Sequence, residues 1–250
     1  MCGRYRLRSD KQRIAEAFAV HADLEHLYLQ PEDDIAPGSI RPVVSLDREG
    51  ERRIELMRWG FALPDRLLFN ARSEGIESAK FWKEPFGKRR CIVPADAFFE
   101  WQKAQTDKQS ESSRQPETAE RSEPGDPTGL SGRSALDGRS KTGKKLKFEF
   151  TVRGRRPFGM AGLWSPWKNP KTDAWEPTFA ILTGEANAVM QPVHDRQPTI
   201  LEPRDYEEYL SGSDRPPTHL LRLLSEEGLR SQRTELDPTP AEQASLFDRG

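Results

Sequence analysis

Apolar positions first recur two apart. In Arg4–Leu7, Tyr5 and Leu7 alternate with arginines, the spacing of a strand with one covered face. The period then lengthens. Ser9-Asp10-Lys11-Gln12 is a capping-box pattern, and Ile14 and Phe18 follow four apart, which predicts a short helix. RRIELMRWGF (52–61) reads as a strand. Ser73–Trp82, with Ile76, Ala79 and Phe81-Trp82 as its apolar side, predicts a helix. CIVPADAFFEW (91–101), KFEFTV (147–152), FGMAGLW (158–164) and TFAILT (178–183) are β-branched or aromatic runs bounded by Pro, Gly or Asp, hence strands. Glu202–Leu210 and Thr218–Leu224 predict helices. Strands outnumber crossover helices, so an antiparallel α+β fold is expected rather than a doubly wound parallel sheet.

Two stretches carry no such pattern. Residues 102–146 contain no aromatic side chain and only scattered Ala and Leu, too little apolar surface to offset ordering entropy. They are expected to form a disordered insertion in one domain of residues 1–225, with 226–250 a polar, flexible tail. This explains why only 34% of the chain is hydrophobic while 32% is charged. The formal charge of −1 excludes function from bulk electrostatics. No apolar run approaches the ~18 residues of a membrane span, and MCGRYRLRSD lacks the apolar stretch of a signal peptide. Two cysteines and four scattered histidines give neither a disulfide framework nor a metal spacing. No P-loop, dinucleotide fingerprint or internal repeat is present. A soluble cytoplasmic protein without membrane partner, metal or cofactor is expected.

Several residues can carry chemistry. Removal of Met1 would leave Cys2 with a free α-amine beside its thiol, two nucleophiles with reference pKa values near ~8 and ~8.5. An aldehyde can condense with both, closing a thiazolidine. The alternative is an ordinary residue on a frayed end. In an extended strand Cys2, Arg4, Arg6 and Arg8 share one face, a nucleophile followed by three guanidinium groups suited to phosphate; a solvated basic edge strand would read the same. Asn70, Arg72 and Glu74 lie within one turn of FNARSE and could orient a reacting group, hold a phosphate and pair with a cation. They could equally be a helix cap with surface charges. Glu100, flanked by aromatics in AFFEW, faces desolvation that raises its pKa toward proton transfer, or else a structural salt bridge. His194 is enclosed between Pro192 and Pro198, a natural proton shuttle. Cys91 reads as a small core residue.

MCGRY at the start, WGF at 59–61, FNARSE at 69–74, IVPADAFFEW at 92–101, MAGLW at 160–164, FAILT at 179–183 and HDRQP at 194–198 together resemble the SRAP family, the SOS response-associated peptidases or abasic-site processing proteins. They occur in the family's order over nearly all of residues 1–210 outside the insertion. Ala97, Phe99 and Gln197 stand where the family usually carries Gly, Tyr and Met, and the chain after Leu210 resembles it poorly. The resemblance implies a single domain around a curved, barrel-like antiparallel sheet with peripheral helices. It implies a monomer that shields abasic sites in single-stranded DNA, nucleoid-associated if bacterial, through a thiazolidine to Cys2. Asn70 would position the linkage, Glu100 act as acid/base and His194 assist at the sugar hydroxyls. Arg4 and Arg72 would hold phosphates, and Trp59 with Gly60 would lie against the DNA path. A thiol peptidase using Cys2, His194 and Glu100, acting on other proteins or only on its own Met1 bond, and a non-covalent single-strand binding module are the alternatives.

Overall fold

The computed structural model describes residues 2–102, 145–212 and 215–234. In chain order its strands are β1 (Arg4–Leu7), β2 (Glu32–Ile35), β3 (Ile40–Leu46), β4 (Arg52–Trp59), β5 (Phe61–Ala62), β6 (Leu67–Leu68), β7 (Asn70–Arg72), β8 (Arg90–Ala95) and β9 (Ala97–Gln102). After the undescribed stretch come β10 (Leu146–Val152), β11 (Phe158–Lys168), β12 (Trp175–Glu185), β13 (Arg196–Pro198), β14 (Ile200–Leu201) and β15 (Leu229–Thr234). The α-helices are short: α1 (Lys11–Phe18), α2 (Lys83–Lys88) and α3 (Tyr206–Leu210).

β11 pairs with both β8 and β12, and β12 pairs with β4, β4 with β3, and β3 with β8. Those five strands therefore close into a barrel. Only the β12–β4 and β12–β7 pairings are parallel. A second sheet runs β15-β10-β9-β1-β2, antiparallel throughout. The expected strand 91–101 is in fact two. It bends at Asp96, whose N–H donates to Arg6 O at 2.8 Å, so that β8 belongs to the barrel and β9 to the second sheet. Asp96 is buried and fixes the bend by accepting from the N–H groups of Arg8 (2.5 Å) and Ser9 (2.8 Å) and from Ser9 Oγ (2.7 Å). The α+β barrel-like architecture with peripheral helices is as the pattern and the resemblance led one to expect.

Local departures have physical causes. Ser9 is spent on Asp96, so Asp10 rather than Ser9 caps α1 by accepting from Arg13 N–H, and Ile14, Ala15 and Phe18 are its buried side. Residues 73–82 form successive turns instead of a helix, because Gly75 adopts φ +67°; the helix begins only at Lys83. Of the helix expected at 218–224, one 3₁₀ turn, Thr218–Leu220, forms. The tail expected from 226 first enters the second sheet: β15 pairs with β10 along its whole length, Leu229 opposite Val152 to Thr234 opposite Lys147. Residues 103–144, within the expected insertion, and 235–250 lie outside the described residues.

Candidate active site

The site forms where β1 and β9 of the second sheet meet β7 at the barrel edge. Trp59 organises the junction. Wholly buried, it packs edge-on against Tyr5 (ring centroids 5.2 Å) and Phe69 (5.9 Å) and stacks on Phe179 (6.3 Å). Its indole N–H donates to Phe69 O at 2.9 Å. One ring thus ties β1, β12 and the start of β7 together. This corrects the expectation that Trp59 presents itself to DNA: its side chain is a pillar inside the core. Gly60, also buried, has φ +108°, and a Cβ there would meet Leu67 Cγ at 2.7 Å, so the chain can turn out of β4 into β5 only with glycine.

Beyond Phe69, Asn70 pairs in parallel with Ile181 of β12, and its Nδ2 donates to Cys2 O at 2.9 Å. Its Oδ1 is buried without a hydrogen-bond partner, as is the hydroxyl of Tyr5. Cys2 is fully buried, not aligned with the outward row of Arg4, Arg6 and Arg8 that simple alternation predicts; β1 begins only at Arg4, so residue 2 escapes the strand's parity. Burial pushes its thiol well above the ordinary range, and the Glu100 carboxylate adds to the shift. Cys2 and Glu100 therefore share one electrostatic environment.

Glu100 sits on β9 opposite Phe148 of β10, 4% exposed. Burial raises its carboxyl to about 7, and Asp195 contributes in the same direction. The desolvation expected of a carboxyl between aromatics is realised. Gln102, two residues on, reaches Pro192 O at 2.8 Å and anchors the HDRQP loop beside β9. There His194 Nδ1 lies 2.9 Å from both Arg196 N and Asp195 Oδ1. A backbone amide can only donate, so toward Arg196 Nδ1 is the acceptor. Arg196 donates to both carboxylate oxygens of Glu74 at 2.8 Å, holding that group's pKa down and lashing the loop to the FNARSE turn.

The arginines divide. Arg4 pairs with Asp34 (3.3 Å), Arg6 with Asp33 (2.9 Å) and Glu149 (2.5 Å), and Arg8 with Asp33 (2.6 Å). β2, which the apolar pattern missed because it is acidic, neutralises the row. Arg72 is exposed and forms no ion pair among the described residues. No group of His, Cys, Asp and Glu able to hold a metal exists among them either, and no helix is long and apolar enough to cross a membrane. The arrangement joins a buried sulfur nucleophile, a carboxyl poised to exchange protons near neutrality, an amide with an unused acceptor and an imidazole on a braced loop.

The family described as SOS response associated peptidase (SRAP) matches residues 1–241. The chain is 26% identical over 232 residues to abasic site processing protein YoqW of Bacillus subtilis, covering 90% of this chain and 86% of that one. It is 32% identical over 163 residues to abasic site processing protein HMCES of Rattus norvegicus, covering 61% and 43%. A crystal structure of a protein from Bordetella bronchiseptica shares the fold with a TM-score of 0.67 at 20% identity, over 94% of this chain and all of that one.

Proposed function

The chain belongs to the SOS response associated peptidase family, and from that premise we propose that it captures abasic sites in single-stranded DNA by closing a thiazolidine on Cys2. The observation that carries this reading is the seating of Cys2: its thiol buried in the field of Glu100, its carbonyl held by Asn70. The names of the relatives, abasic site processing proteins, support the same lesion.

Removal of Met1 frees the Cys2 amine, which adds to the C1′ aldehyde of the ring-opened sugar. Glu100, raised to about 7 and so substantially protonated at neutral pH, donates to the departing hydroxyl. Water leaves and a Schiff base remains. The Glu100 carboxylate so formed accepts the thiol proton as sulfur bonds to the imine carbon, and the nitrogen takes up a proton. Aldehyde plus cysteine thus gives thiazolidine plus one water. The Asn70 Oδ1 acceptor orients the sugar, and His194 Nε2 exchanges the proton of a sugar hydroxyl. Arg72, unpaired and next in chain to Ala71, takes a flanking phosphate. Gly60 and Trp59, both buried, support the DNA path from beneath. Arg4 reaches phosphate only by exchanging Asp34 for it. A thiol peptidase would pair its sulfur with an imidazole; here the charged groups acting on the thiol are the Glu100 carboxylate and the chain's N-terminal ammonium.

The test is a denaturing gel of the protein with single-stranded DNA carrying one abasic site, followed by mass spectrometry of the digested adduct. A heat-stable band mapping to residue 2 is expected. An adduct on Cys91 or a lysine refutes the mechanism.

A further inference from the structure

A second feature is built on β5, which pairs with β6 just ahead of β7 in the chain, and plays no part in the chemistry above. Phe61, wholly buried, holds three rings edge-on: Phe81 at 5.5 Å and 90°, Trp82 at 5.4 Å and 78°, Trp167 at 5.5 Å and 81°. Phe81 also packs on Trp82 (4.6 Å) and Trp167 (5.5 Å), and Trp167 Nε1 donates to Ala62 O at 2.8 Å. The anchor is dry, and the three outer rings are partly buried, each keeping some surface in contact with solvent. Three large aromatics left partly wet on a fixed base form a surface suited to planar ligands.

Charge identifies the ligand. Along residues 65–88 the cations Arg66, Arg72, Lys80, Lys83 and Lys88 are all exposed and without ion pairs among the described residues. Of the acids there, Glu74 is bound to Arg196 and Glu84 to Arg89, which leaves Asp65 and Glu77. Over that stretch five open cations stand against two open acids, in a chain whose overall charge is −1, and Lys80 and Lys83 adjoin Phe81 and Trp82 in the sequence. Aromatic faces flanked by mobile cations are what a single strand of nucleic acid requires, bases on the rings and phosphates on the charges. Position agrees. Phe61 pairs with Leu68 across β5–β6, and Asn70 lies two residues further along, about 7 Å at strand rise.

We propose that Phe81, Trp82 and Trp167, gathered on Phe61 and bordered by Lys80 and Lys83, form a stacking platform for unpaired bases adjoining the sugar bound at Cys2. The platform rests on the reading of Cys2 given above and extends it to undamaged neighbouring nucleotides. It favours substrates whose flank on that side is single-stranded, because paired bases keep their faces covered.

The test uses the full chain and undamaged (dT)10, followed by tryptophan fluorescence and by anisotropy of end-labelled DNA. Trp82→Leu keeps apolar volume and removes the π-face. It is expected to weaken (dT)10 binding about tenfold and to lose much of the quenching, with the salt dependence unchanged. Trp175→Leu, on an exposed ring outside the cluster, changes neither. Lys80→Gln/Lys83→Gln, on the surface, is expected to keep the quenching and to shallow the salt slope by one to about two. Where Trp82→Leu melts below the assay temperature, the lysine pair decides. Parental affinity and slope in that pair, or parental affinity and quenching in a folded Trp82→Leu, overturns the platform. Cross-linking of an abasic oligonucleotide in the same preparations separates the two readings. A parent that cross-links while Trp82→Leu binds normally loses only the platform. A parent that binds (dT)10 through Trp82 but never cross-links loses only the capture chemistry.

Discussion

Strands β1 and β9 carry two faces of opposite character. Outward, Arg4, Arg6 and Arg8 are matched to Asp33, Asp34 and Glu149, and Phe99 lies between the guanidinium of Arg6 (5.2 Å) and the ammonium of Lys147 (4.6 Å). Every one of those arginines has an acidic partner. Inward, a few ångströms away, Asn70 Oδ1 and the Tyr5 hydroxyl are buried without partners, and the Cys2 thiol and Glu100 carboxyl are pushed far from their ordinary acidities. An unmatched buried polar group costs roughly 1–3 kcal/mol, so the fold tolerates at the inner face what it avoids at the outer. A row of charges on a strand need not mark a binding surface. Unsatisfied polarity under an aromatic roof is the better guide to where a substrate supplies the missing partner.

That contrast breaks most visibly at Cys2. Cys2→Ala keeps the amine, so a reducible Schiff base still forms, but the heat-stable adduct is expected to vanish from the gel entirely. The next largest effect belongs to Glu100. Glu100→Gln should slow adduct formation by about 10²–10⁴-fold, and the parent's rate should fall above pH 7 while the variant's shows no break there. Stability moves in a defined direction. The folded chain holds a proton on Glu100 up to about pH 7 that the unfolded chain has lost near 4.5. This group's contribution is therefore complete below pH 4.5 and falls by roughly 3 kcal/mol as pH rises through 7. Denaturant titration at pH 5 and pH 8 should show the loss in the parent and its absence in Glu100→Gln. The open arginine comes third. Arg72→Ala should weaken binding at all sequences alike and reduce the salt slope by about one, read by anisotropy at several ionic strengths. The outer face sharpens the comparison by its silence. Arg8→Ala should leave DNA affinity within about twofold and the melting temperature within about two degrees, as befits an exposed ion pair.

Part of this was legible in the sequence. Alternation along AFFEW gave both the burial of Glu100 and the consequence for its acidity, and the motifs around Cys2 and Asn70 anticipated two residues that now share a hydrogen bond. What escaped was long-range. Glu32–Ile35 has no apolar period and becomes a strand because its acids meet the arginines of β1, a match between distant segments that no local window contains. Ser73–Trp82 has helical apolar spacing, but Gly75 at positive φ breaks it, and Pro85 suits the first turn of the helix that starts at Lys83. Trp59 was misassigned for a similar reason. Its partners Tyr5, Phe69 and Phe179 lie on separate strands, and only their convergence shows it to be a core ring.

Gly60 carries a consequence for the history of such a sequence. Leu67, which packs against it, can be replaced by a smaller side chain without straining the backbone. Position 60 has no such latitude, since a single added methyl group must accept both a left-handed backbone and a collision with Leu67. In a library of all single substitutions it should tolerate almost nothing, although it has no functional group to lose. Selection acting on the nucleophile would then leave its sharpest imprint on a residue with no side chain, one that merely lets the chain turn toward Asn70.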